Sequence, residues 1–424
     1  MGTLYDFARE VNYRRKAYQR EVMGTKLSFT RRIERVFPVR GRRICAMTFD
    51  DGPCAKDFVG YGKGVTECIL DTLKQYGARG TFDIIGTTQD CYPDTAGGVG
   101  TPLFGGVRYD HYPCFMQDHL GGALNNESLI RRMIEEGHEL ANHTWSHRIS
   151  GKKHLVYSKR VPFDSASDAI SDVDRLHAYI KDKFGYTMRL ARPAHYVNKL
   201  NGNGDMYDVY WTLGYQYCAA SYDAGGWRPG RSYKEEVDSM VESMKKKLFA
   251  DPDALNGHII FQKDGCNQSL RTPVIDALPK QLELLTLLGY DVIPVSELLE
   301  LSPFVDLKPE GEVYDSVQQL IRLGHIVGYR DNTFHGERAI TPQEMLWMLS
   351  THREIRLDGD LGTYSMYKKK LRFTDGNHLL DFAQSEGVFA EERFFKDKPE
   401  ISRTDAVKLI SEVVKKHECE EVAP

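Results

Sequence analysis

The sequence has no apolar run approaching the roughly eighteen residues that a membrane helix needs, and this excludes a helical membrane span. It has no strong excess of either charge: 56 Lys and Arg stand against 60 Asp and Glu, a formal net charge of -4. Nucleic acid therefore gains no electrostatic case as a partner. No two of the eight cysteines (Cys45, Cys54, Cys68, Cys91, Cys114, Cys218, Cys266 and Cys419) have Cys-x-x-Cys spacing, which argues against a thiolate zinc site. They read mostly as reduced, small core residues, a usage that suits a cytosol or an anaerobe better than an oxidising space. The opening Met1-Gly2-Thr3-Leu4-Tyr5-Asp6 soon becomes rich in arginine and has no continuous apolar middle, so it does not read as a secretion signal. Gly2 is not followed by Ser or Thr where myristoylation expects one, since Asp6 is there. The spacing of Leu4, Phe7, Ala8 and Val11 predicts a packed amphipathic helix.

What is present is a 424-residue chain, 41% hydrophobic and 27% charged, the composition of a soluble globular protein with two or three domains. Residues 44–300 alternate strand-like and helix-like segments. Ile44–Phe49, Thr81–Ile85, His258–Phe261 and Tyr290–Val295 read as strands. Helices are marked by Leu129, Ile130, Met133 and Ile134 before Gly137, by Ala169, Val173, Leu176, Ile180 and Phe184 before Gly185, and by Val237, Met240, Val241, Met244 and Leu248. This alternation predicts an α/β fold with a largely parallel sheet or barrel. In barrels the chemistry collects where strands end, and Asp50, Asp51, His143, Arg192, Asp223 and Lys263 all fall at or just after such ends.

Two segments break the rhythm. Residues 86–126 hold little periodicity and eight glycines, and carry Tyr92, Tyr109, His111, Tyr112 and His119, residues suited to stacking on sugar faces. A loop this long is read as a lid or substrate-binding insertion. Beyond a linker near Leu301–Pro303, Phe304-Val305-Asp306 recurs loosely as Phe373-Thr374-Asp375, and Ile340-Thr341-Pro342-Gln343-Glu344 as Ile401-Ser402-Arg403-Thr404-Asp405. Thr341 and Ser402 are candidate helix caps, with Glu344 and Asp405 returning the bond. Residues 303–424 thus read as a small helical module present twice.

The clearest chemistry lies in Asp50-Asp51 and in His143-Thr144-Trp145-Ser146-His147. A borderline-soft divalent ion takes neutral imidazole nitrogens plus one carboxylate and keeps a position open for water. A second carboxylate beside that water can remove its proton. Either motif alone is commonplace, since Asp-Asp-Gly-Pro is usually a turn and two histidines four apart are usually a satisfied surface pair. Together, with Arg192 and Trp227 downstream, they describe a metal-assisted hydrolase.

Thr48-Phe49-Asp50-Asp51-Gly52-Pro53 and His143-Thr144-Trp145-Ser146-His147 resemble the first two motifs of the polysaccharide deacetylases of carbohydrate esterase family four. Arg192-Pro193-Ala194-His195-Tyr196, Asp223-Ala224-Gly225-Gly226-Trp227 and Phe261-Gln262-Lys263-Asp264 resemble, in part, the third, fourth and fifth. The resemblance spans about residues 44–300 and implies a distorted (β/α) barrel that removes acetyl groups from N-acetyl sugars with a divalent metal, zinc by preference. It makes Asp51, His143 and His147 the metal ligands and Asp50 the general base held by Arg192. It gives His195 an oxyanion-stabilising backbone N–H, and places Asp223 and Trp227 at the substrate, with Trp227 walling the acetyl pocket. The module 303–424 resembles two S-layer homology repeats. These imply a cell-wall polymer or a second chain as partner and a cell-surface or extracellular location, with a cytoplasmic life left open by the absence of an export signal. The expected organisation is an N-terminal helical extension 1–43, a catalytic domain 44–302 with the insertion 86–126, and the repeats 303–424.

The resemblance fails in a linked way. The family's fifth motif ends in the histidine that serves as general acid, and here Lys263 stands in its place. Its fourth motif has an aspartate before the tryptophan, and here Gly226 does. Three outcomes are open: Lys263 donates the proton; Lys263 stays charged and steadies the oxyanion while His195 or water donates; or the domain binds glycans and hydrolyses them poorly, in which case Lys263 is a lysine paired with a nearby carboxylate. Hydrolysis of another small amide or ester is a further alternative.

Overall fold

The computed structural model describes residues 32–35, 41–90, 118–151, 162–200, 204–227, 229–267, 269–300, 311–322, 334–340 and 401–420, with residues 307 and 326 between. The N-terminal helix, the centre of the 86–126 insertion and most of the two repeats lie outside these residues. Contacts divide the chain into two compact units, Arg32–Val209 with Tyr217–Ser302, and Met1–Arg31 with Tyr210–Gln216 and Pro303–Pro424.

The larger unit is built on a curled parallel sheet. Its strands are β1 (Arg32–Ile33), β2 (Arg43–Asp50), β3 (Thr81–Ile84), β4 (Glu139–Asn142), β5 (Leu190–Ala191), β6 (Gln216–Cys218), β7 (Tyr222–Asp223) and β8 (Ile259–Lys263), in the spatial order β1-β6-β5-β4-β3-β2-β8-β7. A ninth strand, β9 (Tyr290–Val292), also pairs with β2 in parallel. The bridge between Arg35 and His258 ties the segment after β1 to the start of β8, which draws the two ends of the curl together. This is the distorted (β/α) barrel expected from the sequence.

Strand β2 is buried on both faces, as a parallel strand covered by helices outside and packed inside must be. Alternation sorts its residues. Phe49 stacks on Phe82, its register partner in β3, with ring centroids 5.0 Å apart. Asp50, next in line, therefore points to the opposite face, beside its own register partner Asp83.

The outer layer contains α1 (Val65–Gln75), α2 (Glu127–Glu135), α3 (Ala166–Phe184), α4 (Met206–Thr212), α5 (Tyr233–Ala250), α6 (Val274–Leu287) and α7 (Val295–Glu300). Helix α3 shows why these segments form. Ser165 accepts the Asp168 N–H at 3.1 Å as an N-cap. Ala169, Val173, Leu176 and Ile180 form one buried stripe. Gly185 ends the helix at φ 66°, a conformation that costs a side-chain-bearing residue energy. Full burial of each large aliphatic residue in such a stripe is worth about 1.5–3 kcal/mol.

Strand boundaries differ from the sequence expectation by one to three residues, most at the end of β9. Val295 does not continue strand β9 but opens helix α7, with its N–H on Thr81 Oγ1 at 2.9 Å. The apolar run Val292-Ile293-Pro294-Val295 hides the change, because a strand end and the buried first turn of a helix are equally apolar. Helices α1 and α6 had no place in the sequence reading, and α6 carries Pro279 in its interior.

In the smaller unit, α8 (Glu312–Arg322) packs on α9 (Arg403–Glu420) through buried Val317, Leu320, Ala406, Val407, Ile410 and Val414. A short antiparallel pair, β10 (Ala339–Ile340) with β11 (Ile401–Ser402), precedes α9. Ser402 caps α9, accepting the Asp405 N–H at 3.1 Å, while its hydroxyl donates to Asp405 Oδ2 at 2.8 Å.

Candidate metal and acid–base site

Strand register assembles the floor of the site. Asp50 of β2 lies opposite Asp83 of β3 on one side and opposite Lys263 of β8 on the other. Residues in register on adjacent parallel strands share a face, so two acids and one base line up at the strands' C-terminal ends. Asp51 then departs from strand geometry at φ 81°. That turn lets two consecutive carboxylates reach one site, which continued alternation would forbid.

The histidines follow β4. His143 is fixed by its N–H on Ile84 O at 2.8 Å. The chain then turns through Thr144 (φ 77°) and reaches His147 (φ 53°), so the two imidazoles converge without a helix. Their centroids are 5.1 Å apart. Asp172 of α3 holds this turn: it accepts the N–H groups of Trp145 and Ser146 at 2.8 and 3.3 Å and the Ser146 hydroxyl at 2.5 Å. Trp145 is fixed as well, donating from Nε1 to Asp90 Oδ2 at 2.6 Å under the Arg175 guanidinium, 4.0 Å from its ring. Among the described residues, five of the seven non-glycine residues with positive φ (Asp51, Thr144, His147, His195 and Tyr196) belong to these motifs, which is where backbone strain is usually stored.

Three donor atoms meet. Asp51 Oδ1 lies 3.3 Å from His143 Nε2 and 2.8 Å from His147 Nε2. The three residues are buried, and their ligand atoms lie within 4.8 Å of one another. His143 Nδ1 faces the Arg192 carbonyl at 2.8 Å, a contact that requires the proton on Nδ1. Nε2 is thereby turned toward a carboxylate oxygen, an approach that is favourable when Nε2 carries a proton or when a cation lies between them. A backbone carbonyl behind the distal nitrogen is also the usual way a ligating imidazole is oriented. The donor set fits a divalent ion. Its field acts on protons as well: burial works against charge on His143, yet the Asp51 and Asp50 carboxylates raise its pKa, whereas burial dominates at His147 and lowers it.

Arg192 is fully buried beneath Asp50. Its Nη1 serves Asp50 Oδ1, Thr48 Oγ1 at 2.9 Å and Asp83 Oδ2 at 2.9 Å, and its Nε donates to Cys218 O at 3.0 Å. Burial raises the pKa of Asp50, with the Arg192 charge opposing it. Asp83 is pushed up to about 8, by burial first and by the Asp50 charge, again against Arg192. Asp83 was missed in the sequence, where its only signal is an acid inside the short apolar strand Thr81-Phe82-Asp83-Ile84.

Lys263 pairs with Asp51 Oδ2, and both side chains are almost completely buried. Burial pushes the Asp51 carboxyl up, but the Lys263 ammonium and His147 together hold it well below the usual range. The following residue, Asp264, donates its N–H to Asp50 O at 2.6 Å and receives the Thr66 hydroxyl, whose oxygen accepts the Cys54 N–H at 2.6 Å. Burial moves the Asp264 carboxyl up to about 7. Cys54 and Cys266 are buried beside these motifs.

His195 sits in a one-turn 3-10 segment after Arg192, its ring 5.1 Å from that of His147. Asp223 and Trp227 form a more exposed pair, Trp227 Nε1 donating to Asp223 Oδ2 at 3.0 Å. Between them Gly226 has φ 84°, and a Cβ there would lie 2.8 Å from Met240 Sδ. A side chain at this position is therefore opposed by the backbone, and Met240 would have to shift.

Residues 39–217 match the family model for polysaccharide deacetylase. That span takes in Asp50, Asp51, His143, His147, Arg192 and His195, and stops before Asp223, Trp227 and Lys263. The chain is similar to a bifunctional xylanase/deacetylase of Pseudobutyrivibrio xylanivorans, at 24% identity over 63% of this chain and 33% of the relative. It is also similar to a peptidoglycan-N-acetylglucosamine deacetylase of Bacillus cereus, at 26% identity over 61% of this chain and 88% of the relative. A chitin deacetylase structure from Colletotrichum lindemuthianum aligns at 20% identity and a TM-score of 0.42, covering 64% of this chain and 92% of that one. The chain thus spans only a third of the first relative's length but most of the second's. Residues 39–217 are thus similar to a polysaccharide deacetylase domain.

Proposed function

We propose that the chain is a metal-dependent deacetylase that hydrolyses N-acetyl groups of a cell-wall type glycan, with zinc as the preferred ion. The observation that carries this reading is the convergence of Asp51 Oδ1, His143 Nε2 and His147 Nε2 beside a second, arginine-held carboxylate, Asp50. The name of the Bacillus cereus relative, a peptidoglycan-N-acetylglucosamine deacetylase, suggests the substrate class.

Asp51, His143 and His147 would hold the ion. A bound divalent cation supplies Lewis acidity to the acetyl carbonyl and to the attacking water. The rest falls to the chain's own groups. Asp50 accepts the water's proton, and its burial-raised pKa makes it a stronger base than an exposed aspartate. Arg192 fixes which Asp50 oxygen is free, since it occupies Oδ1 and leaves Oδ2 on the His143 side, 3.8 Å from Nε2. The His195 backbone N–H and Trp227 are assigned to the oxyanion and the acetyl pocket by the motifs they occupy.

The proton for the leaving amine is the step the family histidine would serve. Lys263 is the cation at that place, held on Asp51, so we assign it charge stabilisation ahead of proton donation. The same ion pair favours a second reading, a glycan-binding domain with little turnover. Residues 303–424 are proposed as the two repeats that attach the domain to a wall polymer or a second chain.

The test is acetate release from chitooligosaccharides and from peptidoglycan, after chelation and again after zinc is restored. Metal-dependent release supports the hydrolase. Tight zinc binding with no acetate from either glycan supports the binding domain instead.

A further inference from the structure

Asp51 has two oxygens and two different neighbours. Oδ1 faces the imidazoles; Oδ2 faces the Lys263 ammonium. Among the described residues, Asp51 is the only carboxylate within ion-pair distance of Lys263. Solvent does not screen the contact, since Lys263 is 3% and Asp51 4% exposed.

The charges close on themselves. Arg192 and Lys263 stand against Asp50 and Asp51, two cations for two anions. A site meant for a dication thus already holds an ammonium on one of its ligands. An arriving ion must share Asp51 with an ammonium one carboxylate away, in a setting where like charges repel far more than in water.

Lys263 has little room to withdraw. Its strand is in register with β2, and the next residue anchors the strand end through the Asp264 N–H on Asp50 O at 2.6 Å.

We propose that Lys263 is an internal counter-cation that competes with the metal for Asp51 and keeps the ion's affinity below what the three ligands would give without it. This rests on the metal site of the proposed function. Lys263 is in this respect a positioning residue acting through Asp51. Occupancy of the site then tracks free metal concentration, and removing the charge rather than the side chain's bulk is what tightens binding.

The experiment is isothermal titration of zinc into the full chain, stripped with chelator, near neutral pH. Lys263→Met keeps the length and removes the charge; it should bind one zinc about tenfold or more tighter than wild type, as loss of an unscreened like charge demands. Lys263→Gln should shift the same way. Lys263→Arg keeps the charge and should stay within about threefold of wild type. Equal or weaker binding by the two neutral variants, or markedly tighter binding by Lys263→Arg, overturns the proposal and leaves the metal site standing. If wild type and all three variants bind no zinc, or if Asp51→Asn still binds it as tightly, the metal site itself fails and the proposal with it.

Discussion

The two sides of the barrel mouth are built to different standards. On the β2–β4 side, Asp50, Asp51, His143 and His147 keep every group that the deacetylase motifs require, and auxiliary residues such as Asp172 and Arg192 hold them in place. On the β7–β8 side the motifs are altered, with Gly226 and Lys263 where the resemblance expects an aspartate and a histidine. The sides meet at one carboxylate, Asp51, whose oxygens are divided between them. The metal-binding and proton-delivery roles proposed for these sides therefore sit on different strands but are linked through that one carboxylate.

His147→Ala strikes the β2–β4 side hardest. With one of three ligands gone, zinc should no longer raise the melting temperature, and acetate release should fall to background. Retention of a zinc-dependent shift would show that the β2–β4 side is not where the ion sits.

Asp50→Asn leaves the three ligands alone and removes the base. Turnover should drop by about 10²–10⁴ while zinc affinity changes little, measured by paired kinetics and titration. Equal losses in both would merge what the structure separates.

Gly226→Asp probes the altered side. A side chain at φ 84° beside Met240 should destabilise the fold by about 1–3 kcal/mol, seen in urea unfolding, and should not restore activity even with Lys263→His. A stable, more active double variant would mean that the two changes can be reversed together.

A smaller effect lies away from both sides. His138 is buried, and its Nδ1 accepts the Gly80 N–H at 3.0 Å, a bond only the neutral ring can accept. Burial lowers its pKa from 6.5 to about 4. The unfolded chain thus binds this proton more readily than the folded one between those values. Stability from this group is complete above about pH 6.5 and is lost as pH falls toward 4, by up to roughly 3 kcal/mol. His138→Asn should flatten the acid limb of the stability profile, whatever residue stands at 263.

Much of the catalytic side was legible because its signals are local. Asp50-Asp51 and His143–His147 are compact strings, and the strands and helices around them carry clear periodicity, as in α3 with its Ser165 cap and Gly185 stop. What escaped was set by tertiary structure. Asp83 is a lone acid in a four-residue strand, and only register with Asp50 reveals it. Asp172 looks like a solvated helix residue until the turn it supports is in view. Helix α6 was obscured by Pro279 in its interior. The destination of the Lys263 ammonium was open among three outcomes, because the sequence holds no information about which Asp51 oxygen the histidines leave available.

The row Asp83–Asp50–Lys263 makes the domain intolerant of odd-numbered changes in strand length. Removing one residue between Ile44 and Phe49 would invert the parity of β2. Asp50 would be turned toward the helices and an aromatic ring toward the cation and the imidazoles, with no change in hydrophobic content or predicted strand propensity. Length variation in homologous domains should therefore be confined to the connecting segments, and a single-residue deletion in this strand should abolish activity more thoroughly than many radical substitutions outside it.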